Sequence, residues 1–122
     1  SVKLFMSAKL AELKGELPQS LGFYREYQQR YPTDSTAQYY LGRMLRITGT
    51  LAEAEDVLLQ ALKKRPMAPD VHIELFNTYQ AKGEQDKARQ HLSVALKVWE
   101  DADPDYKPLV EARTKWQELA AL

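Results

Sequence analysis

Apolar residues recur along this chain at the spacing of one helix face. In the central stretch they fall at Tyr40, Leu41, Met44, Leu45 and Ile47, three to four residues apart, which predicts a helix. Thr48, Gly49 and Thr50 interrupt the pattern, and glycine there supplies the left-handed backbone that closes a helix. A second amphipathic run follows, with Leu51, Ala54, Val57, Leu58, Ala61 and Leu62 on one side. Thr50 and Glu53 have the spacing of a capping box for its start. Lys63, Lys64 and Arg65 suit the negative end of its dipole, and Pro66 stops it.

The same helix–turn–helix plan returns at a fixed interval. Gly15, Gly49 and Gly83 stand 34 residues apart. Leu41 maps onto Leu75 and Leu109, Ala54 onto Ala88, Leu58 onto Leu92, Ala61 onto Ala95, Leu62 onto Leu96, and Pro32 onto Pro66. A period of this length marks stacked two-helix units. In the third unit Asp70 is the expected N-cap, Val71 to Lys82 the first helix, Gly83 the turn, and Gln85 to about Trp99 the second helix. In the first, a helix runs to about Lys14, and Pro18 sits in the first turn of the next, where its missing N–H costs nothing. Tyr24, Tyr27 and Tyr31 lead to Pro32 and read as packing residues. After Trp99 the run Asp-Ala-Asp-Pro-Asp is a linker. A seventh helix is expected from about Tyr106 to Ala120, capped by Asp105, with Leu109, Ala112, Trp116 and Leu119 as its apolar stripe. Open-ended stacks need such a terminal element with one polar face. The expected fold class is therefore all-α: three helical hairpins (about 1–34, 35–68 and 69–102) and a capping helix (about 105–121), forming one domain over 1–122.

These positions resemble the tetratricopeptide repeat across nearly the whole chain. The second unit matches best: Leu41-Gly42, Leu45, Gly49, Ala54, Leu58, Ala61 and Pro66 stand at the signature places. The third keeps Leu75, Tyr79, Gly83, Ala88, Leu92 and Ala95, and departs at Phe76, where the family prefers a small residue, and at Glu100, where proline is usual. The first keeps Ala8, Gly15, Tyr24 and Pro32. The family's tryptophan in the first helix is replaced by Leu4, Gln38 and His72. The resemblance implies a right-handed superhelical stack whose first helices line a concave groove for an extended peptide or a partner helix. Carried onto this chain, that face shows Phe5, Met6, Lys9, Tyr39, Tyr40, Arg43, Arg46, Glu74, Asn77 and Gln80. Exposed aromatic and arginine side chains together are the types that dominate binding hot spots. The carboxylate clamp with which some family members grip chaperone C-terminal tails is absent. Phe5, Lys9, Tyr40, Asp70 and Glu74 occupy its places, and the two acids would repel a carboxylate.

The physical reading stands beside the resemblance. Small residues at Gly42, Ala54, Ala61, Ala88 and Ala95 let helices approach closely. Each buried leucine beside them contributes roughly 1.5–3 kcal/mol.

Composition narrows the functional classes. Lysine and arginine number 17 and aspartate and glutamate 17, so formal net charge is zero. This argues against a nucleic-acid partner and gives no electrostatic reason to sit on an anionic membrane. No stretch is long and apolar enough to span a bilayer. Without cysteine, thiolate chemistry and disulfides are excluded. His72 and His91 lie on different helices without a metal-binding motif; His72 reads as a core or edge residue and His91 as solvent-facing. The acids Glu53, Glu55 and Asp56 open a helix, where its dipole favours them. Asp101, Asp103 and Asp105 lack the glycine and distal glutamate of a calcium loop. No phosphate cradle or nucleophile motif occurs. The expectation is a non-catalytic protein–protein interaction module without cofactor or metal. The alternative is a regulatory or oligomerisation segment of a larger protein, so self-association stays open. A cytoplasmic location is favoured, and a start at Ser1 rather than Met favours an excerpt of a longer chain.

Overall fold

The three turn glycines adopt the left-handed backbone that the period requires, with φ of 77°, 89° and 78° at Gly15, Gly49 and Gly83. Each sits in the same hydrogen-bonded closure. The glycine N–H donates to the carbonyl three residues back, and the next residue's N–H reaches five residues back: Glu16 to Ala11 (2.9 Å), Thr50 to Leu45 (2.8 Å), Glu84 to Tyr79 (2.9 Å). This is the six-to-one bond that satisfies an orphan carbonyl at a helix end. It appears three times, 34 residues apart, because the residues that specify it do.

A computed structural model describes residues 2–121. Seven helices follow one another: α1 (Val2–Leu13), α2 (Leu17–Arg30), α3 (Ser35–Ile47), α4 (Leu51–Lys64), α5 (Pro69–Lys82), α6 (Gln85–Val98) and α7 (Lys107–Ala120). Helix covers 79% of the described residues, with no strand among them, so the fold class is all-α. None of these helices is long and apolar enough to cross a membrane.

The chain divides into two compact units, Ser1–Pro66 and Met67–Leu122. In the first, α1 packs on α2, α2 on α3 and α3 on α4. Its core is Ala8, Tyr24, Leu41, Met44, Leu45 and Ala54, with Phe5, Leu17, Leu21, Phe23, Tyr40, Ile47 and Val57 packed against it. Gly42 is needed here for close approach: a Cβ at that position would lie 2.5 Å from Leu58 Cγ. In the second unit α5 packs on α6 and α6 on α7. Leu75, Phe76, Ala88, Leu92 and Ala95 are buried, and α7 contributes Leu109, Ala112 and Leu119.

Three helix starts depart from expectation. Helix α5 opens one turn position earlier than Asp70, at Pro69, whose fixed φ suits the first helical residue, with Ala68 as N-cap. Asp70 instead accepts from the Val71 N–H at 2.9 Å. Helix α7 is preceded by Tyr106 as N-cap rather than Asp105. Thr50 is the N-cap of α4, but its side chain makes no capping bond. Its box partner Glu53 is taken by Arg25 of α2, at 2.5 and 2.9 Å. Asp34 does cap: it accepts from the N–H groups of Thr36 and Ala37 at the start of α3. In α7, Trp116 stays 37% exposed rather than joining the buried stripe.

Candidate functional site

Helices α1 and α3 place a continuous aromatic and charged cluster on the first unit. The Phe5 ring meets Tyr40 edge-on with centroids 4.9 Å apart and lies 6.3 Å from Tyr24 and 6.0 Å from Tyr27. Tyr24 and Tyr40 stack at 5.7 Å with planes 7° apart, and Tyr39 adds an edge contact to Tyr40 at 5.0 Å. Such offset and edge-on pairs contribute beyond their buried area. Tyr24 is fully buried, whereas Phe5, Tyr27, Tyr39 and Tyr40 are half-buried. The cluster therefore has a packed floor and an open rim.

Charges sit on that rim. The Lys9 ammonium lies 4.3 Å from the Tyr40 ring centroid and 5.7 Å from that of Phe5, a cation–π arrangement. Desolvation holds the Lys9 pKa below its ordinary value, with Arg43 adding to the fall and Glu12 opposing it. Glu12 pairs with Arg43 at 2.7 Å and accepts from the Tyr24 hydroxyl at 3.3 Å. The Arg43 hydrogen bond holds the Glu12 carboxyl below the usual range. Burial, with Glu12 beside it, pushes the Tyr24 hydroxyl well above its ordinary value. The result is a polar strap across α1, α2 and α3 that fixes Arg43 beside the aromatic rim. Arg–carboxylate pairs of this kind hold geometry more firmly than lysine pairs do.

The residues expected on the groove face meet different fates. Phe5, Lys9, Tyr39, Tyr40 and Arg43 come together as described. Met6 does not join them; it is 63% exposed, on another side of α1. Arg46 is half-buried near the end of α3. On α5, Asn77 and Gln80 hold the registers that Arg43 and Arg46 hold on α3, and both are half-buried. Glu74 departs from the expectation of a solvent-facing carboxylate, because only 6% of it is exposed. Glu12 was not singled out from the sequence. Its role depends on Arg43, 31 positions away, and no local pattern announces that pair.

The two histidines also differ from expectation. His72 is buried, as a packing position requires, but His91 does not simply face solvent. The two Nδ1 atoms stand 2.9 Å apart, and the His91 ring stacks on Tyr79 at 5.4 Å. One imidazole must donate through Nδ1 and the other accept, which fixes complementary tautomers across α5 and α6. Among the described residues, no group of three or more histidine, aspartate or glutamate side chains is arranged to hold a metal ion.

No protein-family model matches the chain, and no curated protein does. Solved structures do match. YrrB, a TPR protein with an unusual peptide-binding site, aligns over 91% of this chain with a TM-score of 0.76 and 21% identity. The fold is that of the tetratricopeptide repeats. The glycine closures and the paired helices already described are its local expression, and Phe76 and the missing tryptophan do not prevent it. The chain spans about half of that protein, 55% of its length.

Proposed function

We propose that the chain is a non-catalytic protein-interaction module that holds a peptide or a partner helix. The carrying observation is the rim formed by Phe5, Lys9, Tyr39, Tyr40 and Arg43, where half-buried aromatic rings and two cations are held together by the Glu12 strap. Pre-ordered aromatic surface gives contact area at low entropic cost, and an adjacent fixed cation confers orientation on a polar or acidic group of the ligand. The tetratricopeptide-repeat fold, and a peptide-binding site in YrrB, support this reading. Arg46, Asn77 and Gln80 are offered as further contact residues on their respective helices. The partner we propose is not a chaperone tail ending in a free carboxylate, because Phe5 and Tyr40 stand at clamp places that demand polar side chains. Nor is it a nucleic acid, given a balance of 17 basic and 17 acidic residues.

The test is selection of peptides from a random displayed library on the whole chain, followed by calorimetry. Lys9→Ala/Tyr39→Ala should weaken the selected peptides at least tenfold, with thermal unfolding little changed. Peptides held equally by both proteins would remove the rim from the proposal. A chaperone-type acidic C-terminal peptide serves as the ligand expected to fail.

A further inference from the structure

Four half-buried rings of the first unit touch in succession, and one ammonium stands over the middle of them. Tyr27 lies 6.0 Å from Phe5, Phe5 4.9 Å from Tyr40, and Tyr40 5.0 Å from Tyr39. Lys9 Nζ sits over the two central rings, 4.3 Å from the Tyr40 centroid and 5.7 Å from that of Phe5. Aromatic surface therefore continues on both sides of a single cation.

That cation lacks a carboxylate. Glu12, the sole acid of α1, is engaged by Arg43 at 2.7 Å and by the Tyr24 hydroxyl at 3.3 Å. Lys9 itself makes no ion pair among the described residues. Two cations, Lys9 and Arg43, against one carboxylate leave the cluster with one positive charge in excess. Partial burial strips water from the Lys9 ammonium, and a desolvated charge without a partner is costly. An arriving anion offsets that cost. One surplus charge matches a carboxylate better than a phosphate, which carries about 1.5 to 2 negative charges at neutral pH.

Spacing says what flanks the carboxylate. In an extended peptide alternate side chains share a face and stand about 6.6 Å apart, at ~3.3 Å per residue. Neighbouring rings of the cluster stand 4.9 to 6.0 Å apart. An acid on Lys9 thus sets the residues two before and two after it over rings on either side. Resting on the peptide-binding reading above, we infer that the rim takes an extended internal segment of the pattern apolar–x–acid–x–apolar. Its acidic side chain pairs with Lys9, and its two apolar side chains lie on the flanking rings. A segment that ends at the acid supplies one flank only.

NMR titration of the whole chain reads this even for a weak ligand. The probe is the blocked peptide acetyl-Gly-Ser-Leu-Thr-Glu-Ser-Leu-Ser-Gly-amide. It should shift the amide signals of Phe5, Lys9 and Tyr40. Exchanging its glutamate for glutamine should weaken binding about tenfold, and exchanging either leucine for serine about threefold. In Lys9→Met, which keeps an apolar stem over the rings, the glutamate and glutamine peptides should bind alike. Lys9→Arg should restore the preference, and thermal unfolding checks that both variants fold. Equal binding of the two peptides to the parent chain, with the rim still shifted, overturns the inference and leaves the peptide-binding reading standing. A preference for glutamate that survives in Lys9→Met also overturns it. So does tighter binding of a phosphoserine analogue, or of a peptide that ends in a free carboxylate at the acidic position. Absence of any shift overturns it as well, and the library selection then decides the broader reading by itself.

Discussion

The second and third hairpins solve the same packing problem with opposite volumes. At the point where the first helix meets the second, α3 presents Gly42 and α4 presents Leu58, whose Cγ fills the space a Cβ on Gly42 would need. One period later, α5 presents Phe76 and α6 presents Leu92, 1% and 0% exposed. One period earlier, α1 presents Ala8, and α2 contributes Tyr24 together with Ser20, whose hydroxyl donates to the Ala8 carbonyl at 2.8 Å. What recurs every 34 residues is burial and backbone geometry. The side-chain volume at each site is set by its own neighbours, as close packing demands.

The strongest way to break this comparison is at Phe76. Truncating a buried phenylalanine costs about 3–5 kcal/mol, so Phe76→Ala should lower stability by that order in urea unfolding. A loss below about 1 kcal/mol would mean that the site collapses around the cavity and that volume there is not specified. The converse substitution is Gly42→Ala. Overpacking against Leu58 costs about 1–3 kcal/mol, against the ~1 kcal/mol that alanine gains over glycine within a helix. The single variant should be destabilised. In a Leu58→Ala background the clash is gone, and Gly42→Ala should instead stabilise. If the sign does not reverse in that double-mutant cycle, Leu58 is not what holds position 42 to glycine.

A smaller effect is expected at Ser20. Ser20→Ala removes the bond to the Ala8 carbonyl and should cost about 0.5–1.5 kcal/mol. The aligned substitution Ala88→Ser in the third hairpin should bring no gain, because burying a hydroxyl without a prepared acceptor is unfavourable.

The smallest effect is electrostatic. Glu12 and Glu53 both have carboxyl pKa values lowered in the folded chain, chiefly by hydrogen bonds from Arg43 and Arg25. A lowered folded pKa means the fold favours the ionised form. The stabilisation is therefore complete above the ordinary carboxylate range and is lost as pH falls through the folded values. Arg25 and Glu53 are 40% and 39% exposed, so solvent limits that pair to well under ~1 kcal/mol. The Glu12–Arg43 pair is 19–25% exposed and should dominate. Stability measured from pH 7 to pH 3 should fall less steeply in Glu12→Gln than in the parent. Parallel curves would mean that the strap contributes nothing to folding.

The rim of the candidate site was partly legible beforehand. The resemblance to the tetratricopeptide repeat places Phe5, Lys9, Tyr39, Tyr40 and Arg43 on one face, and the structure brings their side chains together. Glu12, which ties Arg43 in place, was not legible, because an ion pair between helices has no signature in either helix alone. The same holds for Arg25 with Glu53, where the local capping-box pattern pointed to a different partner. The resemblance carries Glu74 onto the open groove face, yet it is buried; its neighbours in space decide that, not its neighbours in sequence.

The order of amino acids alone determined where helices begin to turn back, since glycine backbone freedom, proline geometry and apolar spacing act within a few residues. It likewise determined that hairpins repeat, because the period lies in the string itself. Only the tertiary structure decided which charges pair, how the two histidines face each other, and how much volume each buried position accepts. Those outcomes depend on distances between segments far apart along the chain, and side-chain energies change steeply over an ångström.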